Sequence, residues 1–457
     1  MNKFYFLNLR QRWSKLSIGV IVLLIPIVVH AQQPEPDSLL QQATLENVVD
    51  YAIKHQPMIQ QSLIDQETTE YSIRSRLADW YPQLNFNYNV QHNFVLQPTF
   101  VPKSFAESQI LRFGAINTSQ GQFAVTQNIF NRDVFLASKT ASQVRIQALQ
   151  NTSNNKINLA VSVTKAFYDV LATSQQINVG KEDVVRLQRS LKDTYNQYEA
   201  GVADKTDYKR ATITLGNSKA TLKSNQELLK YKTEYLKYLM GYPINSPLNI
   251  MYDTLQMENE IQLDTLQPMD YTNRIDYKLL TTQKNLQVAS IKYAQWGFAP
   301  VVALNYSYNL YYFDHTSNLE DLYKYNTPFS LAALTVSVPI FQGGKRIANI
   351  KQQKWLLKRL DWDVKNLKNE VNSQYAQTLA AYKGNLITYQ TLKQNVELAK
   401  EVYDVIQLQY KTGVKTYLEV ITAETDLRTA RINYYNALYQ LLASKIDVQK
   451  ALGQIIY

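Results

Sequence analysis

One pattern constrains this chain more than any other: its landmarks recur 212 positions downstream. Tyr198-Glu199-Ala200-Gly201-Val202 is matched by Tyr410-Lys411-Thr412-Gly413-Val414. At the same offset Asp207 meets Glu419, Ala211 meets Ala423, Leu215 meets Leu427 and Gly241 meets Gly453. Upstream, Trp80-Tyr81-Pro82 resembles the stretch from Trp296 to Pro300, and Ile129-Phe130-Asn131 resembles Ile340-Phe341-Gln342. The order is kept over most of the chain, so this is a tandem duplication and not a short solenoid period.

Each copy reads alike: a helix, a strand hairpin, a very long helix, a glycine turn and a return helix. No proline occurs from Lys103 to Tyr242, and none after Pro339. Such stretches predict long helices. The first runs from about Arg132 to Tyr198 with Gly180 as its one glycine, on the order of 100 Å at the α-helical rise. The second runs from about Lys345 to Tyr410. It carries a near-heptad seam, Tyr382, Leu386, Tyr389, Leu392, Val396, Ala399, Tyr403, Ile406 and Tyr410, which calls for a partner helix. Val163, Phe167, Val170, Ile177, Val184, Leu187 and Leu191 repeat the seam in the first copy. The shorter leading helices are expected over about Leu45–Trp80, started or kinked at Pro57, and about Tyr271–Trp296.

The hairpins, placed at residues 84–129 and 301–341, alternate. Leu84, Phe86, Tyr88 and Val90 oppose Asn85, Asn87, Asn89 and Gln91. Leu304, Tyr306, Tyr308 and Leu310 oppose Asn305, Ser307 and Asn309, and Leu334, Val336 and Val338 oppose Thr335 and Ser337. The segment around Phe123 and Val125 alternates more weakly. This period fits a transmembrane β-barrel strand and equally a half-buried sheet in water.

The N-terminus reads as a secretory leader. Lys3, Arg10, Arg12 and Lys15 precede an apolar run from Ile18 to Val29, and Val29-His30-Ala31 offers cleavage after Ala31. An uncleaved anchor is the alternative; Pro26 and the short run, against the ~20 residues a span needs, oppose it. The leader supplies four of the ten excess positive charges, and the remaining charges are interspersed. That pattern describes a solvated surface and not a nucleic-acid partner. There is no cysteine, and His30, His55, His92 and His315 are scattered. Disulfides, thiolate metal sites and a cysteine nucleophile are thereby excluded, and histidine ligation has no spacing to support it. The 33 tyrosines suit membrane interfaces, wetted grooves or plain helix packing.

Four strands cannot close a membrane barrel, because every backbone group in lipid needs a partner and the smallest barrels have about eight strands. Sharing the barrel between copies resolves this. At this point the chain resembles the TolC-like outer-membrane efflux family, over nearly all of its length after the leader. The resemblance is carried by Tyr81-Pro82-Gln83-Leu84, by Pro339-Ile340-Phe341-Gln342-Gly343-Gly344, and by Tyr198 to Ala211 with Tyr410 to Ala423. It implies an α+β membrane protein, tandemly duplicated. A trimeric twelve-stranded transmembrane β-barrel, four strands per chain, would be continued by a long α-helical periplasmic barrel. It implies repeats over 32–242 and 271–457, with 243–270 in an equatorial belt and loops near 93–113 and 313–328 outside. It also implies a passive export duct in the outer membrane of a Gram-negative bacterium. Its partners would be two further copies, outer-membrane lipid, a periplasmic adaptor and, through it, an inner-membrane pump. No cofactor, metal or catalytic residue is expected; Gly343-Gly344-Lys345 lacks phosphate-loop spacing.

The resemblance further implies a periplasmic gate at Thr206, Asp207, Tyr410, Lys415 and Glu419, beside the tip turns Gly201 and Gly413. Chemically, Asp207 can accept from the Tyr410 hydroxyl and the Lys415 ammonium, and a ring of Glu419 carboxylates would favour cations. Thr422 stands where the family often has a second acid, and Lys415 where arginine is common, which removes a bidentate fork. The bland reading of all five is cap and surface chemistry, with Thr206 or Asp207 capping the return helix. Two rivals remain: a periplasmic coiled-coil adaptor or other exported helical interaction protein, and a secreted carboxylate hydrolase, for which no site constellation stands out.

Overall fold

Both halves of the duplication contain a leading helix, long antiparallel strands, a very long helix and a return helix, and the first half adds a second leading helix and two short strands. The computed structural model describes residues 39–104, 110–202, 204–251, 254–315, 322–324 and 326–457, so the leader read over residues 1–31 lies outside them. The elements belong to one unit, Gln42–Tyr457. The first copy contains α1 (Leu45–His55), α2 (Pro57–Ala78), β1 (Gln83–His92), β2 (Pro98–Phe100), β3 (Ile110–Arg112), β4 (Asn117–Phe130), α3 (Arg132–Glu199) and α4 (Lys205–Met240). After a short α5 (Thr254–Asn259), the second copy contains α6 (Ile275–Gln295), β5 (Val301–Asp314), β6 (Phe329–Ser337), α7 (Lys345–Lys411) and α8 (Tyr417–Leu452).

The expected single first helix is two helices. Pro57 occupies the first turn of α2, and Gln56 is held extended in front of it (φ −65°, ψ 123°). Proline lacks the amide that would continue α1 and pushes its predecessor out of the helical region.

The long helices owe their limits to local chemistry. Asn131 caps α3 by accepting from the Asp133 amide at 2.8 Å. At the far end the Gly201 amide bonds to the Tyr198 carbonyl and the Val202 amide to the Gln197 carbonyl. The same pair closes α7, Gly413 to Tyr410 and Val414 to Gln409. This six-residue closure requires a left-handed residue, and Gly201 and Gly413 supply it at φ 68° and 81°.

β1, β4, β5 and β6 form one antiparallel sheet in that order. Phe86 pairs with Phe123, Phe123 with Tyr308, Leu84 with Val125 and Leu304 with Leu334. Paired residues share a face, so the apolar positions of all four strands, the weaker Phe123 and Val125 included, make one continuous surface. That surface is open: Leu84 is 66% exposed and Leu334 61%. The opposite face carries amides and hydroxyls, tied by Gln120 to Asn309 and by Thr126 to Asn305. β1 and β6 are both edges. No described helix is long and apolar enough to cross a membrane.

Beyond the sheet the helices pack side by side. Near the sheet the neighbours run α2, α3, α6, α7; toward the tips they run α7, α8, α3, α4. The first seam is buried where it was expected, at Val163, Phe167, Val170, Ile177 and Leu187. On α7 the seam residues are buried or half-buried while most residues between them are exposed. Part of α7 also meets the belt. The Tyr382 hydroxyl donates to the Ile261 carbonyl at 2.8 Å, and Tyr375 to the Gln267 carbonyl at 3.1 Å. Glu258 of α5 accepts from Lys393 at 2.8 Å and from the Tyr434 hydroxyl. Tyrosine suits this heptad stripe because its ring packs while its hydroxyl ties down an irregular strap.

Candidate gate at the helical tips

The two glycine turns bring four helix ends together. α3 and α7 arrive, α4 and α8 leave, and α3 lies between α8 and α4. Gly201 and Gly413 have nothing within 4 Å of a notional Cβ, so they are present for backbone conformation and not for close packing.

The second tip is built on a capping box. The Thr416 hydroxyl and amide engage Glu419, whose carboxylate accepts the Thr416 amide at 2.9 Å. Glu419 also pairs with Lys415 at 2.6 Å. Lys415 foremost, then the Thr416 amide and hydroxyl, lower the Glu419 carboxyl to about 2. Within one protomer this corrects the expected Asp207–Lys415 link. Glu419 lies one helical turn from Lys415 and takes its ammonium. The Glu419 charge is therefore partly neutralised within the protomer.

Tyr410 is also paired differently. Its hydroxyl donates to the Gln197 side-chain oxygen at 2.6 Å, which joins the end of α7 to the end of α3. Its ring packs on Tyr417 at 5.9 Å, and the Tyr417 hydroxyl lies 2.9 Å from that of Ser190. Burial first, then Tyr417, raises the Tyr410 pKa, and the charge of Asp207 adds to the rise. Asp207 is thus an electrostatic neighbour of Tyr410 without being its hydrogen-bond acceptor.

The cap of α4 is neither Thr206 nor Asp207. Asp204 caps it by accepting the Thr206 amide at 2.7 Å. Thr206 and Asp207 occupy the first turn, where a carboxylate is favoured by the helix dipole. Asp204 was overlooked although an aspartate three positions after the turn glycine is a cap signal of the ordinary kind.

Above the tips lies a cluster that sequence reasoning missed. Asp183 of α3 is 1% exposed at its side chain and accepts from Ser218 of α4 at 2.6 Å. Arg428 of α8 reaches it at 3.2 Å and Arg186 at 3.4 Å. Arg186 also meets Glu424 of α8 at 3.2 Å. Burial, with the Asp183 charge adding to it, raises the Glu424 pKa against the pull of Arg186 and Arg428. At the rim Arg431 pairs with Glu182 at 2.6 Å. The available signals were Asp183 with Arg186 and Glu424 with Arg428 at helical spacing, which ordinarily mark a solvated face.

Among the described residues no group of three or more His, Asp or Glu is placed to hold a metal ion. The geometry offers ties between helix ends that can be made or broken.

A family model described as "Outer membrane efflux protein" matches residues 48–241 and 279–454. Outer membrane protein TolC of Escherichia coli (strain K12) is 20% identical over 449 residues, 94% of this chain and 86% of that protein. Alkaline protease secretion protein AprF of Pseudomonas aeruginosa is 19% identical over 417 residues, 88% of this chain and 82% of that one. In three dimensions the fold matches the Campylobacter jejuni CmeC outer membrane channel with a TM-score of 0.71 and 14% identity, over 90% of this chain and 85% of that one.

Proposed function

This chain belongs to the outer membrane efflux protein family, and we propose that three copies close into one duct with a polar gate at its helical tips. The chain is an outer-membrane channel-tunnel of the efflux and secretion type. The observation that carries the closed-ring reading is the sheet. One protomer exposes an apolar face bounded by two unpaired edge strands, β1 and β6. In lipid such a face is stable only if β6 of one copy pairs with β1 of the next. Three copies give twelve strands, above the minimum for closure.

The helical wall repeats the argument. Near the tips its row ends at α4 and α7, and both present apolar residues: Ile213 is 63% exposed, Leu398 58% and Val402 54%. We assign 32–242 and 271–457 to the two repeats and 243–270 to the strap that clamps them. The duct is non-catalytic. Its energy comes from an inner-membrane pump engaged through a periplasmic adaptor, and substrate crosses to the exterior passively.

The gate consists of Tyr410, Lys415, Glu419, Thr206 and Asp207, hinged at Gly201 and Gly413. Gln197 joins the set as the acceptor for Tyr410. Opening requires α7 to part from α3, which breaks the Tyr410–Gln197 bond. The test is conductance in a planar bilayer. Wild type should give a small conductance, and Tyr410→Phe a larger one. A pore unchanged in Tyr410→Phe and in Lys415→Ala would remove these residues from the gate. No pore from folded trimer would overturn the channel reading.

A further inference from the structure

Where the sheet gives way to the helices, two arginines from opposite repeats converge on one glycine. A Cβ on Gly297 would meet Arg132 Nη1 at 2.9 Å and Arg346 Cδ at 3.7 Å. Arg132 lies over the Tyr293 ring at 4.7 Å, and Arg346 over the Phe298 ring at 4.5 Å. Arg346 donates to the carbonyls of Ile340 at 2.9 Å and Gly297 at 3.4 Å. Both are half-buried. Neither has a carboxylate partner among the ion pairs of the described residues, and the adjacent acid, Asp133, accepts from the Tyr293 hydroxyl. Two guanidinium groups held together without an acid between them create a site of positive potential with donors to spare.

The surroundings say what kind of anion belongs there. Leu334 and Val336 lie on the apolar face of β6, and Val338 and Ile340 continue the same alternation past its end. Ile340 is 90% exposed, Phe341 87% and Tyr81 70%. This collar is continuous with the lipid-facing surface and ends where the helices enter water. An apolar and aromatic rim beside unpaired arginine is the chemistry of a membrane–water interface, and arginine forks match phosphate oxygens.

We propose that Arg132 and Arg346 form a headgroup site for an anionic phospholipid of the periplasmic leaflet, its acyl chains lying against the Ile340–Phe341 rim. The aromatic rings beneath the guanidinium groups fix their planes, so the site is oriented before lipid arrives. The site occurs once per copy and anchors the depth of the barrel. It rests on the outer-membrane reading.

The experiment uses full-length trimer in nanodiscs of phosphatidylcholine with and without phosphatidylglycerol. Native mass spectrometry reads retained phosphatidylglycerol, and heating reads trimer dissociation. Wild type should retain the anionic lipid and dissociate at higher temperature in its presence. Arg132→Gln/Arg346→Gln should retain it about tenfold less, the size of one lost charge-assisted bond, and lose the thermal gain with conductance unchanged. Lys351→Gln/Lys354→Gln removes equal charge from an exposed part of α7 and should behave as wild type. Equal losses in the two double variants would reduce the site to general attraction and overturn the proposal. A loss of trimer stability that is the same with and without phosphatidylglycerol would assign the arginines to the subunit interface, and also overturn it. Failure of wild type to enter nanodiscs or conduct would instead strike the membrane reading itself.

Discussion

Replacing Asp183 by alanine should loosen the wall of the tunnel far more than any change at its tip. Asp183 joins three helices: it accepts from Ser218 of α4, from Arg428 of α8 and from Arg186 of its own α3. Breaking a buried pair by removing one partner costs about 3–5 kcal/mol, because the remaining charge is left without compensation. Arg186 and Arg428 keep 25% and 28% side-chain exposure, so both can partly rehydrate and the lower end, about 3 kcal/mol, applies. Hydrogen exchange resolves such local effects. At about 1.4 kcal/mol per tenfold, peptides covering 180–190 and 420–432 should exchange roughly 100-fold faster in Asp183→Ala. Asp183→Asn keeps the volume and an acceptor for Ser218, and should fall well short of that. Less than about fivefold acceleration in Asp183→Ala, below 1 kcal/mol on the same scale, would refute the claim that this cluster holds α3 against α8.

The Glu424 pKa is raised by burial, so its contribution to stability is complete below the ordinary carboxylate value of 4.5 and is lost as pH rises through the raised value. The thermal midpoint should therefore climb on mild acidification from neutrality, and Glu424→Gln should flatten that climb. Gly413→Ala and Gly241→Ala both impose alanine at positive φ, 81° and 66°, costing about 1–2 kcal/mol for the conformation. Only Gly241 also faces a backbone oxygen, that of His55 at 2.8 Å, so in denaturant titration Gly241→Ala should be the more damaging. Tyr382→Phe deletes the bond to the Ile261 carbonyl beneath a ring that is 2% exposed. It should cost about 1–3 kcal/mol and increase proteolysis between 254 and 267.

The duplication, the long helices and the alternating strands were legible because each depends on local periodicity. A heptad seam, a proline-free stretch and a period of two need no knowledge of what lies across the core. The gate was only half legible for the same reason. The turn glycines announce themselves, but the partner of Tyr410 could not be read from its own segment. Gln197 lies 213 residues away, and Lys415 had both a distant and an adjacent acid to choose from. The adjacent one prevails because the capping box already orients Glu419. The Asp183 cluster was illegible because its charges sit at spacings common on wet helix faces; only packing of three helices makes them buried. The belt was legible as a break in pattern, while the tyrosine hydroxyls that fasten it were not.

The two repeats differ in burial in a way that predicts the missing contacts. In the first copy the long helix α3 lies inside the wall, and Arg186 and Ser190 meet α8 at Glu424 and Tyr417. The offset of 212 carries Arg186, Ser190 and Asp193 onto Leu398, Val402 and Val405 of α7, which are 58%, 54% and 53% exposed. It likewise carries Glu424 onto Thr212 of α4. If the ring closes by repeating the α3–α8 contact, α7 of one copy must meet α4 of the next with Leu398 beside Thr212. On that register the seam within a protomer is ionic and the seam between protomers would be apolar, so its exposed surface favours association with a neighbour. The chain has no cysteine, so Leu398→Cys with Thr212→Cys can be treated with a short bis-maleimide against a clean background. Covalent dimers and trimers should form in membranes, and neither single variant should give trimers. Val185→Cys with Thr212→Cys offers the same reagent an exposed partner on α3 and should leave the chain monomeric on a denaturing gel. Intermolecular products from that control alone would mean that the repeat does not set the register between copies.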